Sequence, residues 1–354
     1  MSTFLQLHLL ISYPPANLNR DDLGRPKTAI FGGKQRLRVS SQALKRAWRT
    51  GPMFDDMRSE FMGQRTKKLG VEVYKEMIEA GISEETAKKF SQEIAKTFAK
   101  TKKAKKDNDM TELETEQLVH VSPTERAAIR ELIQNEMVNA EDWDKNWNKQ
   151  LLQSESKAAD IAMFGRMLAD NPKFNVDAAV QVAHAITIHE VDVEDDYFSA
   201  VDDLNTEDGG AGHIGEANFA SGVFYLYVNI NQDQLIENLS GDKELAAQTI
   251  IALAKSCAQV APSGKQNSFA AHAYAHYMLA ERGQKTPRQL SMAFLNGNQE
   301  NGQLDKSVNT LLEMRDKMDR AYGQWASGSQ SLNVLSGEGS MDDIVKFIQE
   351  GFNA

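Results

Sequence analysis

Between Thr3 and Tyr13, Leu5, Leu7, Leu9 and Ile11 recur at every second position, the period of a β-strand. Pro14-Pro15 follows and is expected to end it, because proline cannot donate to a central ladder. The period then changes. Leu44, Ala47 and Trp48 fall on one side of a helix for which Ser41 is the expected cap, and Gln42, Lys45, Arg46 and Arg49 fall on the other. Helical spacing continues from about residue 55 to 170, with Ala87, Phe90, Ile94 and Phe98 after a Ser83 cap. Ser122-Pro123-Thr124-Glu125 adds a complete start signal: cap, first-turn proline and capping-box acid. "VQVAHAITIHEV" (180–191) and "GVFYLYVNI" (222–230) return to strand chemistry. The acidic, glycine-containing stretch between them is too long for a tight turn and reads as a projecting β-hairpin or ordered arm. A helix over 244–260, a strand over 270–279, a helix around 302–320 and a last helix starting at Ser340 complete the pattern.

The predicted order is β-α-(insertion)-β-β-α-β, which suits an α+β fold with a ferredoxin-like or RRM-like sheet. Three segments follow: residues 1–54, a helical insertion over 55–170, and 171–354 with an arm at about 190–222. Hydrophobic residues at 41% and charged residues at 25% permit a sizeable core. The longest apolar runs fall well short of the roughly 18 residues of a membrane span. A single cysteine, Cys257, excludes an internal disulfide, and no signal-peptide pattern opens the chain, so a cytoplasmic protein is expected.

Charge is where the picture sharpens. The chain carries a formal −10, yet residues 1–50 hold nine Lys or Arg against Asp21 and Asp22 only. That is a local surplus of seven positive charges, leaving −17 for the other 304 residues. Such polarisation steers an anionic ligand to one place, and a nucleic-acid or phosphate partner is expected there.

Other chemistry is weaker. "FGGK" breaks the phosphate-loop pattern, with Thr28 where the first glycine belongs and Gln35 after Lys34. His184, His189, His213, His272 and His276 lack metal-site spacing; His272 and His276 share a face of the expected strand, where packing or surface roles are favoured. The acids from Asp192 to Asp203 are read as a solvated arm rather than a divalent-ion site. Neither a metal nor a cofactor is expected. Cys257 sits in an apolar stretch unsuited to a thiolate nucleophile.

"LNRDD", "IFGGKQRLRVSSQALKRAWR", "DIAMFGRM", "AHAITIHEVD", "YFSAVDDL", "GHIG", "FASGVFYLYVNIN" and "SGKQNSFAA" occur collinearly from the first strand to about residue 271. Together they resemble the Cascade backbone subunit of type I-E CRISPR interference complexes, the CasC family. The resemblance implies an RRM-like palm, a helical finger insertion and a β-hairpin thumb. It implies a non-catalytic protein that polymerises head to tail along the CRISPR RNA, with target DNA paired to the guide and the other Cascade subunits (large, small, 5′-handle-binding and guide-processing) as partners. It implies that Arg20, Lys27, Ser40, Gln42, Lys45, Arg46 and Arg49 grip the RNA backbone, with Lys34, Arg38 and Lys265 as further contacts. Arg166 and Met167 match a site where an apolar side chain wedges beside a base, and Phe198 and Ile214 match thumb positions over the guide. The basic cluster Lys102–Lys106 departs from the family pattern. An RRM-like RNA-processing endonuclease is the alternative; no clustered acid-base set accompanies the basic face.

Overall fold

The computed structural model describes residues 2–104, 110–136, 151–152, 157–201, 211–297 and 303–352. From the N-terminus run β1 (Phe4–Ala16), β2 (Thr28–Phe31), β3 (Lys34–Val39) and α1 (Ser41–Arg49). Next come α2 (Arg58–Phe61), β4 (Gln64–Thr66), α3 (Leu69–Glu79), α4 (Glu84–Phe98), β5 (Val119–Val121), α5 (Pro123–Glu136) and α6 (Ala159–Phe164). Then follow β6 (Val180–Val182), β7 (Ala185–Thr187), β8 (Glu194–Val201), β9 (Ala211–Asn231), α7 (Gln232–Asn238), α8 (Lys243–Gln259) and α9 (Gln266–Phe269). β10 (Ala275–Gly283), α10 (Leu304–Tyr322), β11 (Gly328–Asn333) and α11 (Met341–Glu350) close the order. The chain divides into two compact units, one of Met1–Met53, Gln181–Asn231 and Ala247–Ala354, the other of Phe54–Val180 and Gln232–Ala246.

The first unit is built on a large antiparallel sheet in the order β11-β10-β1-β9-β7-β3-β2. β1, α1, β7, β9, α8 and β10 follow one another as β-α-β-β-α-β, and four of those strands are neighbours as β10-β1-β9-β7. β1 is central because both its faces are apolar enough to cover. Leu5, Leu7 and Leu9 are fully buried on one face, and Leu10 packs on the other with Tyr225, Tyr277, Leu279 and Phe294. Gln6 and His8 are buried on that second face as well, and each meets polar groups, as buried polar atoms must. The Tyr227 hydroxyl donates to Gln6 Oε1 at 2.6 Å, and His8 Nδ1 lies 2.8 Å from the Tyr225 hydroxyl. His8 Nε2 lies 3.4 Å from Glu281, to which Arg288 donates at 2.9 Å.

Several expectations change in detail. β1 runs through Pro14-Pro15 to Ala16; its register against β9 shifts between Tyr13 and Ala16, so the prolines fall where the ladder is already interrupted. The stretch read as a basic loop contains the β2–β3 hairpin, and "FGGK" is its two-residue turn, with Gly32 and Gly33 both at positive φ. The strand expected over 270–279 runs from Ala275 to Gly283; His272 lies outside it and is exposed, while His276 is buried on it.

In the second unit, α3, α4 and α5 pack Leu69, Val73, Ile94, Phe98 and Ile129 into a separate core. The two predicted caps are present: Ser83 Oγ accepts from Thr86 N at 3.3 Å, and Ser122 and Glu125 exchange bonds at 2.9 and 3.1 Å as a capping box. Of the Lys102–Lys106 cluster, Lys102 pairs with Glu114 at 2.5 Å and Lys103 is exposed, while Lys105 and Lys106 lie outside the described residues.

Candidate nucleic-acid interface

The chain leaves β1 at Asn17 and is tied down at once. Asp21 Oδ1 accepts the N–H groups of Leu23 and Arg25, both at 2.9 Å, and Gly24 supplies the positive φ that the turn needs. Asn19 Oδ1 accepts the Ser40 N–H at 2.9 Å, fixing this turn to the start of α1. Ser40, not Ser41, is the cap: its Oγ accepts from Ala43 N at 3.3 Å. Leu44, Ala47 and Trp48 then anchor the helix in the core, leaving Gln42 and Arg46 exposed and Lys45 and Arg49 half-buried. The helix thus offers its N-terminus, with free N–H groups and the positive dipole end, beside its own cations.

A third segment meets these two. Gly264 approaches the Leu18 carbonyl so closely that a Cβ there would overlap it. Lys265 follows in a left-handed conformation and is exposed. Between the segments opens a cavity of about 480 Å³ whose walls include Arg20, Asp21, Asp22, Arg46, Ser263 and Gly264. Among the described residues no ion pair joins Arg20, Lys27, Arg46 or Lys265. Arg20 and Arg46 are thus unpaired on a wall that Asp21 and Asp22 also line.

The three cations of β3 divide. Lys34 pairs with Glu190 at 2.9 Å, both partly exposed, and Arg38 lies 2.8 Å from His184 Nδ1. Desolvation, then the charges of Arg38 and Lys27, push His184 below its ordinary range. Arg36 is fully buried, and its guanidinium donates to the carbonyls of Thr187, Phe294 and Leu295 at 3.1, 3.0 and 3.2 Å.

The arm is a hairpin of β8 against the first half of β9, with Phe198 opposite Gly215 and Ser199 opposite Ile214. Directly opposed residues share a face, so Phe198 and Ile214 point to opposite faces. Both are exposed, at 44% and 56%. Tyr197, 64% exposed and unremarked in the sequence, shares the face of Ile214. The arm base is fixed to the basic segment: Asn17 Nδ2 donates to the Asn218 carbonyl at 2.9 Å, and Arg25 lies 3.6 Å from Asp195. The side chain of His213 and residues Asp202 and Asp203 lie outside the described residues, among which no His, Cys, Asp or Glu cluster could hold a metal ion.

In the second unit the structure separates the two residues of "FGRM". Arg166, expected at the RNA, is buried, its guanidinium donating to both Glu125 oxygens at 2.8 and 2.7 Å. Met167 is 80% exposed. Gly165 at positive φ and the Arg166–Val176 bridge hold the turn that presents it. Asp22, Ser263 and Tyr197 join these surfaces without being singled out by sequence; each lies inside a quoted motif, "LNRDD", "SGKQNSFAA" or "YFSAVDDL", but no periodicity marks it.

Fold and site define an α+β protein, built on a large antiparallel sheet, with an open cavity lined by unpaired Arg20 and Arg46 and by Asp21 and Asp22. The chain belongs to the family described as CT1975-like protein, whose model matches residues 5–345. A chain of a "CRISPR RNA-guided surveillance complex, pre-nicking" superposes with a TM-score of 0.81 at 27% identity, covering 99% of each chain. A chain of another "CRISPR RNA-guided surveillance complex" matches in fold with a TM-score of 0.61 at 24% identity, covering 98% of this chain and 99% of that one. No curated protein matches. Among the described residues no helix is long and apolar enough to cross a membrane.

Proposed function

We propose that this chain is the guide-holding backbone subunit of a Cascade-type CRISPR surveillance complex of type I-E, working in the cytoplasm. The observation that carries the reading is the meeting of unpaired Arg20 and Arg46 with the α1 N-terminus around one open cavity. It is supported by the 27% identity to a chain of an RNA-guided surveillance complex over nearly the whole length. In this reading the first unit is an RRM-like palm, the β8–β9 hairpin a thumb, and the second unit a finger. Cations and amide N–H groups hold sugar-phosphate without base preference, and base pairing with target DNA reads the sequence. Copies of the chain line the guide head to tail, with the other Cascade subunits at the ends and along the filament. The chain is a scaffold and not a nuclease.

The test is a salt series of binding to single-stranded RNA. Replacing Arg20, Lys27 and Arg46 together by Ala lowers affinity and flattens the slope of log K on log salt, by roughly 0.7 per lost phosphate contact. An unchanged slope rejects the assignment. Labelled RNA stays intact with or without divalent metal; specific cleavage rejects the scaffold reading in favour of an RNA-processing enzyme.

A further inference from the structure

The cavity beside α1 holds more than cations. Its wall carries two carboxylates, and they are not equivalent. Asp21 is occupied, its Oδ1 accepting two backbone N–H groups that build the turn. Asp22 is exposed on the same wall, and among the described residues no hydrogen bond or ion pair engages it. The arginines that share the wall, Arg20 and Arg46, are not paired with it either. A carboxylate facing a phosphate site repels every polyanion equally, so it weakens binding unless the ligand also brings a donor to it. An RNA strand held by its phosphates has one donor at every nucleotide, whatever the base: the ribose 2′-hydroxyl. A DNA strand has none there.

Resting on the RNA-backbone reading above, we infer that Asp22 accepts a hydrogen bond from a ribose 2′-hydroxyl of the bound strand and thereby makes the cavity select RNA over DNA. Arg20 and Arg46 hold the phosphate, the Asp21 turn aims the neighbouring carboxylate, and Ser263 completes the wall. The affinity for phosphate and the choice of sugar are then carried by different side chains, which makes them separable by mutation. A bond of a hydroxyl to an ionised acceptor gives a preference of about tenfold or more.

The experiment uses the full-length chain with a fluorescein-labelled single-stranded RNA and the all-deoxy strand of the same base sequence, titrated by anisotropy across a salt series. Wild type binds RNA at least about tenfold more tightly than DNA. Asp22→Ala brings the two affinities within about twofold while leaving the salt slope on either strand unchanged, because no phosphate contact is lost. Asp22→Asn, which keeps an acceptor oxygen and removes the charge, retains most of the preference. Glu313→Gln, on an exposed turn of α10 and not part of the cavity wall, serves as the control and leaves the ratio as in wild type. Asp22 supports no other side chain, so its variants keep the wild-type circular dichroism. The inference is overturned if Asp22→Ala keeps the wild-type ratio, if Ser263→Ala abolishes it instead, or if the preference follows amino-bearing bases in homopolymers rather than the sugar. If wild type binds neither strand in a salt-dependent manner, the backbone reading falls along with it; that result is distinct from equal, salt-dependent binding of both strands by wild type, which sinks the sugar selection alone.

Discussion

Arg36 and Arg46 lie ten positions apart in the same basic stretch and do opposite work. Arg36 is a buried cation whose fork satisfies three carbonyls, whereas Arg46 is exposed on the cavity wall. Arg36→Lys is therefore expected to destabilise the fold by roughly 2–4 kcal/mol, since an ammonium cannot reproduce the planar fork and leaves buried carbonyls unpaired. Arg46→Ala shifts the urea midpoint hardly at all, within about 0.5 kcal/mol, but lowers RNA affinity. Chemical denaturation of the two variants side by side checks this; equal stability losses would contradict the division. Glu125→Ala follows the Arg36 pattern, at about 3–5 kcal/mol, because it strands the Arg166 guanidinium in the core. Sequence could not separate these arginines. Burial depends on what packs over a strand or turn, and the Phe294–Leu295 carbonyls that receive Arg36 come from more than 250 positions away.

At the scale of elements, α1 and the arm carry different predictions. Ser40→Ala removes the side-chain cap of α1 and costs about 1 kcal/mol. It also frays the N–H groups proposed to face phosphate, so RNA affinity drops alongside the melting temperature. On the arm, a Cβ at Gly215 would overlap the Phe198 ring, so Gly215→Val must move that ring. If Phe198 is the side that meets the guide, Gly215→Val and Phe198→Ser impair assembly on RNA alike and Ile214→Ser does not. Mass photometry on a full-length guide reads this, and the opposite ranking would assign the guide to the Ile214–Tyr197 face. Most elements were legible from period and caps: α4, α5, α8, α10, α11 and the arm all stand near where spacing put them. β2 and β3 were hidden because basic residues at alternate positions look like a solvated loop until one of them turns inward.

Over the whole chain, acid stability follows from the buried groups of the sheet unit. Desolvation pulls His276 down to about 4, so an unfolded chain takes up a proton between pH about 6.5 and 4 that the folded chain refuses. Its contribution is present above pH 6.5 and is lost as pH falls through that window. Burial alone would raise Glu281, but its contacts with His8 and the Arg288 guanidinium outweigh that and hold it at about 2. Its contribution is present above pH 4.5 and is lost as pH falls toward 2. Each is worth up to about 3 kcal/mol. Urea midpoints at pH 7, 5 and 3 should fall stepwise, and His276→Phe should lessen the slope between 6.5 and 4, to which His8 and His184 also contribute, while leaving the lower one; an undiminished upper slope would reject the assignment. Assembly gives a second prediction at this scale. Deleting residues 193–217 leaves a chain that binds short RNA but forms no regular multi-subunit particles on a long guide, and particles of wild-type size would remove the arm from assembly.

What the sequence determined by itself is whatever neighbours in the chain decide. Strand and helix periods, the Ser83 and Ser122 caps, and the +7 surplus in the first 50 residues are all local, and the α+β order and the expectation of an anionic ligand near α1 followed from them. Tertiary structure decided which charges remain available. Glu190 engages Lys34, Glu125 engages Arg166, three distant carbonyls engage Arg36, and Gly264 brings a segment 246 residues away against Leu18 to close the cavity wall. A charge is free or spent according to partners that only folding supplies, so composition located the basic region and packing selected Arg20, Lys27 and Arg46 within it.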